Sequence, residues 1–249
     1  MRALTARSNR GKISPILGRK MTTIKLEPKL TPVNKKLITN DWAARYPRFT
    51  ISRPMHLLRL TGPLVVGIAL DRTSGNDVYR PTFHMHCLAK SWESVSLTLC
   101  QRLKTIRSGT TESISVRFHY DHVNDATERL KDQVKFPLCG NWNLGDVVAA
   151  YHNYMTVPGG MSPSILYEDI FAYYTWCGKR DEALIILEDF MPTVRSWEPY
   201  MLEREGGPDV WYAKCRKIIE DTDVRQTVED EVIKHKLTKI PDEGFDCTD

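Results

Sequence analysis

Leu64-Val-Val-Gly-Ile-Ala-Leu70 and, beyond a polar stretch, Thr82-Phe-His-Met-His-Cys-Leu88 are the segments from which the fold can be read. The first is a short continuous apolar run with three β-branched residues, the signature of a buried strand. In the second, Phe83, Met85 and Cys87 alternate with His84 and His86, the period of two that marks a half-buried strand. Ser74-Gly75-Asn76-Asp77 between them is a strong loop signal, so the two strands should pair antiparallel around a mobile loop from Asp71 to Pro81.

Toward the N-terminus, Met55 to Leu60 is an apolar stretch punctuated by Thr61-Gly62-Pro63. A helix opens at Thr31-Pro32, with Thr as N-cap and Pro at the first helical position, and ends before Pro47. Toward the C-terminus a helix is expected from about Ser91 to Ile106. A third strand follows, in which Ile114, Val116, Phe118 and Tyr120 alternate with Ser115, Arg117 and His119. Asn124 then caps a helix whose apolar positions are Ala126, Leu130 and Val134.

Beyond Pro137 to Gly140 the pattern is helical. Leu144, Val148, Tyr151 and Met155 form one stripe, and Leu166, Ile170, Tyr173 and Cys177 form the next, closed by Gly178. Asp181 starts a partner helix carrying Ala183, Ile186, Leu187 and Phe190, ended by Pro192. This hairpin, residues 173–184, is locally similar to a helical-repeat unit of the tetratricopeptide kind. The rest of the repeat does not recur, and a solenoid needs about three copies, so no family is assigned.

The fold class is therefore α+β: a small mixed or antiparallel sheet of about three strands with flanking helices, then a mainly helical C-terminal half. The expected layout is a basic, disordered leader over 1–30, a sheet-containing region over 31–140, a helical region over 141–240 packed on it, and a frayed acidic tail over 241–249. The two middle regions form either one continuous domain or two.

With 249 residues, 41% of them hydrophobic, the chain can bury a substantial core. Its longest strongly apolar run, Leu64 to Leu70, falls well short of the roughly 20 residues a membrane-spanning helix needs. The six cysteines, at 87, 100, 139, 177, 215 and 247, include no C-x-x-C pair. That spacing excludes a zinc ribbon and a dense disulfide scaffold. Most of the cysteines are expected to be buried free thiols, in a reducing, cytoplasmic compartment.

The formal charge of +4 hides a gradient. Residues 1–36 hold ten Lys and Arg against one acid, residues 37–180 sixteen against twelve, and residues 181–249 nine against eighteen. An acidic region steers basic partners and repels phosphate backbones, so sequence-specific nucleic-acid binding is not expected. Among the acids lie Trp197, Tyr200, Trp211 and Tyr212, residue types that anchor interfaces.

The sequence carries no G-x-S-x-G elbow, P-loop or zincin motif. The function expected is thus a non-enzymatic protein–protein interaction or regulatory role, such as an inhibitor or immunity-type factor. It would dock on another, basic protein through the acidic helical half, with no cofactor. The alternative is a metal-dependent enzyme. In strands, His84 and His86 project together, as do His119 and Asp121, with His122 following, and imidazoles converging with a carboxylate suit zinc or ferrous iron. Alternation could equally leave these histidines under a covering helix with no ligand.

Overall fold

The structure is a computed structural model and describes residues 26–93, 98–156, 161–220 and 222–248. The expected leader lies, up to residue 25, outside the described residues. Leu26 and Leu30, which follow it, are buried in the main core and do not belong to a free tail.

Helix α1 (Pro32–Arg45) begins as expected, with Thr31 Oγ1 accepting from the Asn34 N–H and Pro32 in the first turn. The sheet follows: β1 (Thr50–Arg53), β2 (His56–Thr61), β3 (Leu64–Arg72), β4 (Val78–Cys87), β5 (Leu99–Arg102) and β6 (Ile114–Ser115). All pairings are antiparallel, in the order β1-β2-β3-β4-β5, with β6 also on β4. The sheet is antiparallel as one of the two expected forms, but among the described residues it has six strands where about three were expected.

The hairpin read from the two opening segments is present, and its ladder runs to Asp71↔Arg80 and Arg72↔Tyr79. Most of the stretch expected to be a mobile loop is therefore strand. Residues 91–106 are not the expected helix. Residues 94–97 lie outside the described residues, and Leu99 to Arg102 pair with β4. Leu99 and Leu103 are buried while Cys100 and Arg102 are exposed, a period of two, and the open edge of β4 supplies the backbone partners a strand needs.

The expected third strand shrinks to Ile114–Ser115, because helix α2 (His119–Gln133) starts within it. Its buried residues 119, 123, 126, 127 and 130 keep helical spacing, which overrides the brief alternation before them. Helices α3 (Leu144–Met155), α4 (Pro163–Trp176), α5 (Arg180–Arg195), α6 (Pro199–Glu205), α7 (Pro208–Glu220) and α8 (Val224–Lys234) complete the chain. Helix α5 runs through Pro192, at which it was expected to end.

Directly paired residues share a face of the sheet. One face carries Leu57, Arg59, Val66, Ile68, Tyr79, Phe83 and Cys87. It packs under Trp42 of α1, His119 of α2, Phe136 and Trp142. The opposite face carries His56, Leu58, Val65, Gly67, Ala69, His84 and His86. The main core draws on both sides of residue 140, and a second, smaller core of Phe171, Leu187, Met191, Val194, Trp211 and Ile219 sits among α4, α5 and α7. Among the described residues, no helix is long and apolar enough to cross a membrane.

The segment after α8 does not fray. Asp242 bridges Leu60, Glu243 N donates to Leu60 O, and Asp246 O accepts from Leu144 N. Cys247 is disulfide-bonded to Cys177, with 5.3 Å between their Cα atoms, so these two are not among the free thiols. Cys87 and Cys215 are buried free thiols; Cys100 and Cys139 are exposed. Gly62 opens the β2–β3 turn at φ +52°, and a Cβ there would lie 2.8 Å from Phe245 Cβ, so the returning segment lies flat on that turn.

Candidate functional site

The second face of the sheet holds the chemistry. His84 projects from the middle of β4 over Gly67, its partner on β3. A Cβ at position 67 would sit 2.1 Å from His84 Nε2, so the absence of a side chain there is what lets the imidazole lie against the sheet. His56, from the start of β2, brings its Nε2 to 2.8 Å from His84 Nε2, and Ser52 Oγ lies 3.3 Å from His56 Nδ1. A bond between two imidazole nitrogens requires one to donate and the other to accept, so one of these facing nitrogens carries a proton and the other does not. Burial, then the Arg53 charge, lowers the His56 pKa to about 4, with Asp71 acting weakly against them. Burial, then His56 and His86, lowers that of His84 to about 3.

These groups form the floor of a cavity of about 650 Å³, within the usual range for small-molecule sites. Leu58, Val65 and Ala69 complete the floor, and the far wall is His235, Leu237 and Ile240 after α8. The rim carries three cationic side chains, Arg53, Lys236 and Lys239, against one carboxylate, Asp71. Lys236 holds a left-handed backbone at φ +58°, which turns the chain from α8 into that wall. Such a cavity can hold an apolar body on the floor and a negative head at the rim. Imidazoles that protonate only near pH 4 and below are poorly matched to proton transfer at neutral pH, where a catalytic pKa near the working pH is most effective.

Next to the cavity, His86 of β4 meets Glu231 of α8 and His235, the residue that caps the end of that helix. One ligand atom from each lies within 4.8 Å of the others. His235 Nε2 is 2.8 Å from Glu231 Oε2, the same oxygen accepts from Trp92 N–H at 3.2 Å, and Glu231 Oε1 accepts from Ser91 Oγ and Lys234 Nζ. Burial acts to raise the Glu231 pKa, and the donors around it, Lys234 and His235 first, outweigh it and hold the carboxylate below its ordinary range.

Of the residues expected to converge, His84 and His86 do share a face. His119 lies on the other side of the sheet, in the first turn of α2 and not on a strand. Its Nδ1 is 2.7 Å from Tyr79 Oη and its Nε2 is 3.0 Å from Asp41. Asp121 and His122 are exposed on α2. The structure thus separates the proposed five-residue set into two faces. The aromatic residues of the acidic half divide too: Trp211 is core, Trp197 and Tyr212 are half-buried, and Tyr200 is 69% exposed.

Sequence reasoning missed His56, Glu231 and His235. His56 was absorbed into the apolar stretch 55–60, and the signal for the other two, an acid and a histidine four apart at a helix end, was read as charge alone. Compared with family models, with curated proteins and with solved structures, the chain matches none.

Proposed function

We propose that the chain is a binding protein for a small amphipathic anion, received in the cavity between the sheet and the segment following α8. The observation that carries this reading is the cavity itself: an apolar floor with a hydrogen-bonded imidazole pair, under a rim whose Arg53, Lys236 and Lys239 outnumber Asp71. The apolar body gains from burial and the head from charge at the rim. The test uses anilinonaphthalene sulfonate, a fluorescent amphipathic anion, with octanoate as competitor. Saturable one-to-one binding displaced by octanoate is expected, weakened about tenfold or more in Arg53→Glu/Lys236→Glu, since each 1.4 kcal/mol of lost attraction is a factor of ten. Binding of the same strength in that variant would remove the cavity from consideration.

A second reading keeps the acidic half as a docking surface for a basic protein. It is favoured by Tyr200 of α6, an exposed aromatic with exposed Glu198 and Glu203 beside it in sequence. If it holds, capture of a basic partner from native extract should fall steeply between 0.1 and 1 M salt and in Glu198→Gln/Glu203→Gln. The screening length shrinks from about 10 Å to about 3 Å over that range. Capture indifferent to both would leave this surface as a solvated face.

A further inference from the structure

We infer that His86, Glu231 and His235 form a binding site for a divalent transition metal, zinc foremost. The three come from two elements that pack across the sheet: His86 from the central strand β4, and Glu231 and His235 four apart at the end of α8. Four-residue spacing places both side chains on one helix face. All three ligand atoms lie within 4.8 Å of one another, so a single ion placed among them is in reach of each with small rotations. Two imidazoles and a carboxylate are a donor set that zinc takes readily and that other divalent first-row ions share.

The surroundings are those of a held ligand set. Glu231 is buried and its free oxygen is fixed by Ser91 Oγ at 3.1 Å and Lys234 Nζ at 2.9 Å, while Trp92 N–H steadies the other. Outer hydrogen bonds of this kind orient first-shell ligands. In the metal-free protein a proton bridges His235 Nε2 and Glu231 Oε2 at 2.8 Å. An ion bound between them takes the place of that hydrogen bond. The site does not depend on the anion cavity, although His235 lies in the wall of both.

The test is a Co²⁺ titration of tag-free, chelator-treated full-length protein followed by visible absorption, with Zn²⁺ competition. Cys100→Ser/Cys139→Ser serves as background, because the exposed thiols are alternative ligands. One equivalent of bound Co²⁺, displaced by Zn²⁺, is expected. His235→Ala should weaken it beyond the roughly 10- to 100-fold that loss of an outer partner costs, and Glu231→Gln, which keeps the shape of the side chain, should weaken it as well. Far-ultraviolet circular dichroism checks the fold of each variant, and His235, at the end of a helix and not in the middle of the sheet, provides the measurement if His86→Ala does not fold. No stoichiometric uptake, or uptake unchanged in His235→Ala, overturns the assignment.

Discussion

Replacing Lys90 with Met is expected to cost on the order of 3 to 5 kcal/mol of stability at neutral pH. Lys90 follows β4, and its ammonium lies 2.8 Å from Asp169 Oδ1 and 3.1 Å from Glu168 Oε2, both on α4 and both buried. Lys214 shares Glu168 from the solvent side at 2.7 Å, so the carboxylate that suffers is Asp169. Asp169 is fully buried, and after the substitution the Tyr151 hydroxyl at 3.0 Å is the hydrogen-bond donor it keeps. Burial already holds the Asp169 pKa above the carboxylate range, with Lys90 pulling against it, and removing Lys90 raises it further. The deficit should therefore shrink as the pH falls and Asp169 takes up a proton. Lys90→Met/Asp169→Asn should recover most of the loss, because removing both charges leaves none uncompensated. Chemical denaturation at pH 7 reads both outcomes, and a single variant as stable as the parent would mean that water reaches Asp169.

The largest pH effect should come from the histidine pair. Folded His56 and His84 titrate near 4 and 3, against about 6.5 in the unfolded chain. Below pH 6.5 the unfolded state binds more protons than the folded state. The stability held by the neutral pair is thus fully present above about pH 6.5 and is lost as pH falls toward 4. Between about pH 7.5 and pH 5 this amounts to on the order of 4 kcal/mol. The groups facing the pair are Arg53 and Asp71 at the rim, His86 beside it, and His235, Lys236 and Lys239 from the far wall. In His56→Gln/His84→Leu most of this slope should vanish. The remainder belongs to groups such as His119, whose pKa is lowered by burial despite Asp41. An identical pH slope in parent and variant would show that the pair stays hydrated.

The β3–β4 hairpin was legible because β4 alternates with period two, while the apolar run of β3 is short, rich in β-branched residues and bounded by turn signals. β2 was read only as an apolar stretch, since Leu57 to Thr61 are buried on both faces and no alternation remains. β5 was read as a helix because its four residues are too few to show a period against the apolar residues around them. Its identity is decided by the free edge of β4, which lies outside its own sequence. The site divides along the same line. That His84 and His86 share a face follows from strand geometry alone. That His56 reaches His84, and that Glu231 and His235 reach His86, follows from hairpin register and from where α8 lands.

Arg59 shows what this means for a chain made from one end. Its guanidinium is 1% exposed, lies 3.6 Å over the Trp142 ring, and donates to Glu243 Oε2 at 2.6 Å. Arg59 and Glu243 are 184 positions apart. At about 5 to 20 residues per second, the anion that neutralises this sheet residue is synthesised roughly ten to forty seconds after the cation. During that interval the β2–β3 hairpin can pair, but closing its inner face would bury an uncompensated charge. The sheet is therefore expected to mature late although its strands are made early, and a nascent chain stalled before residue 243 should present that face to chaperones.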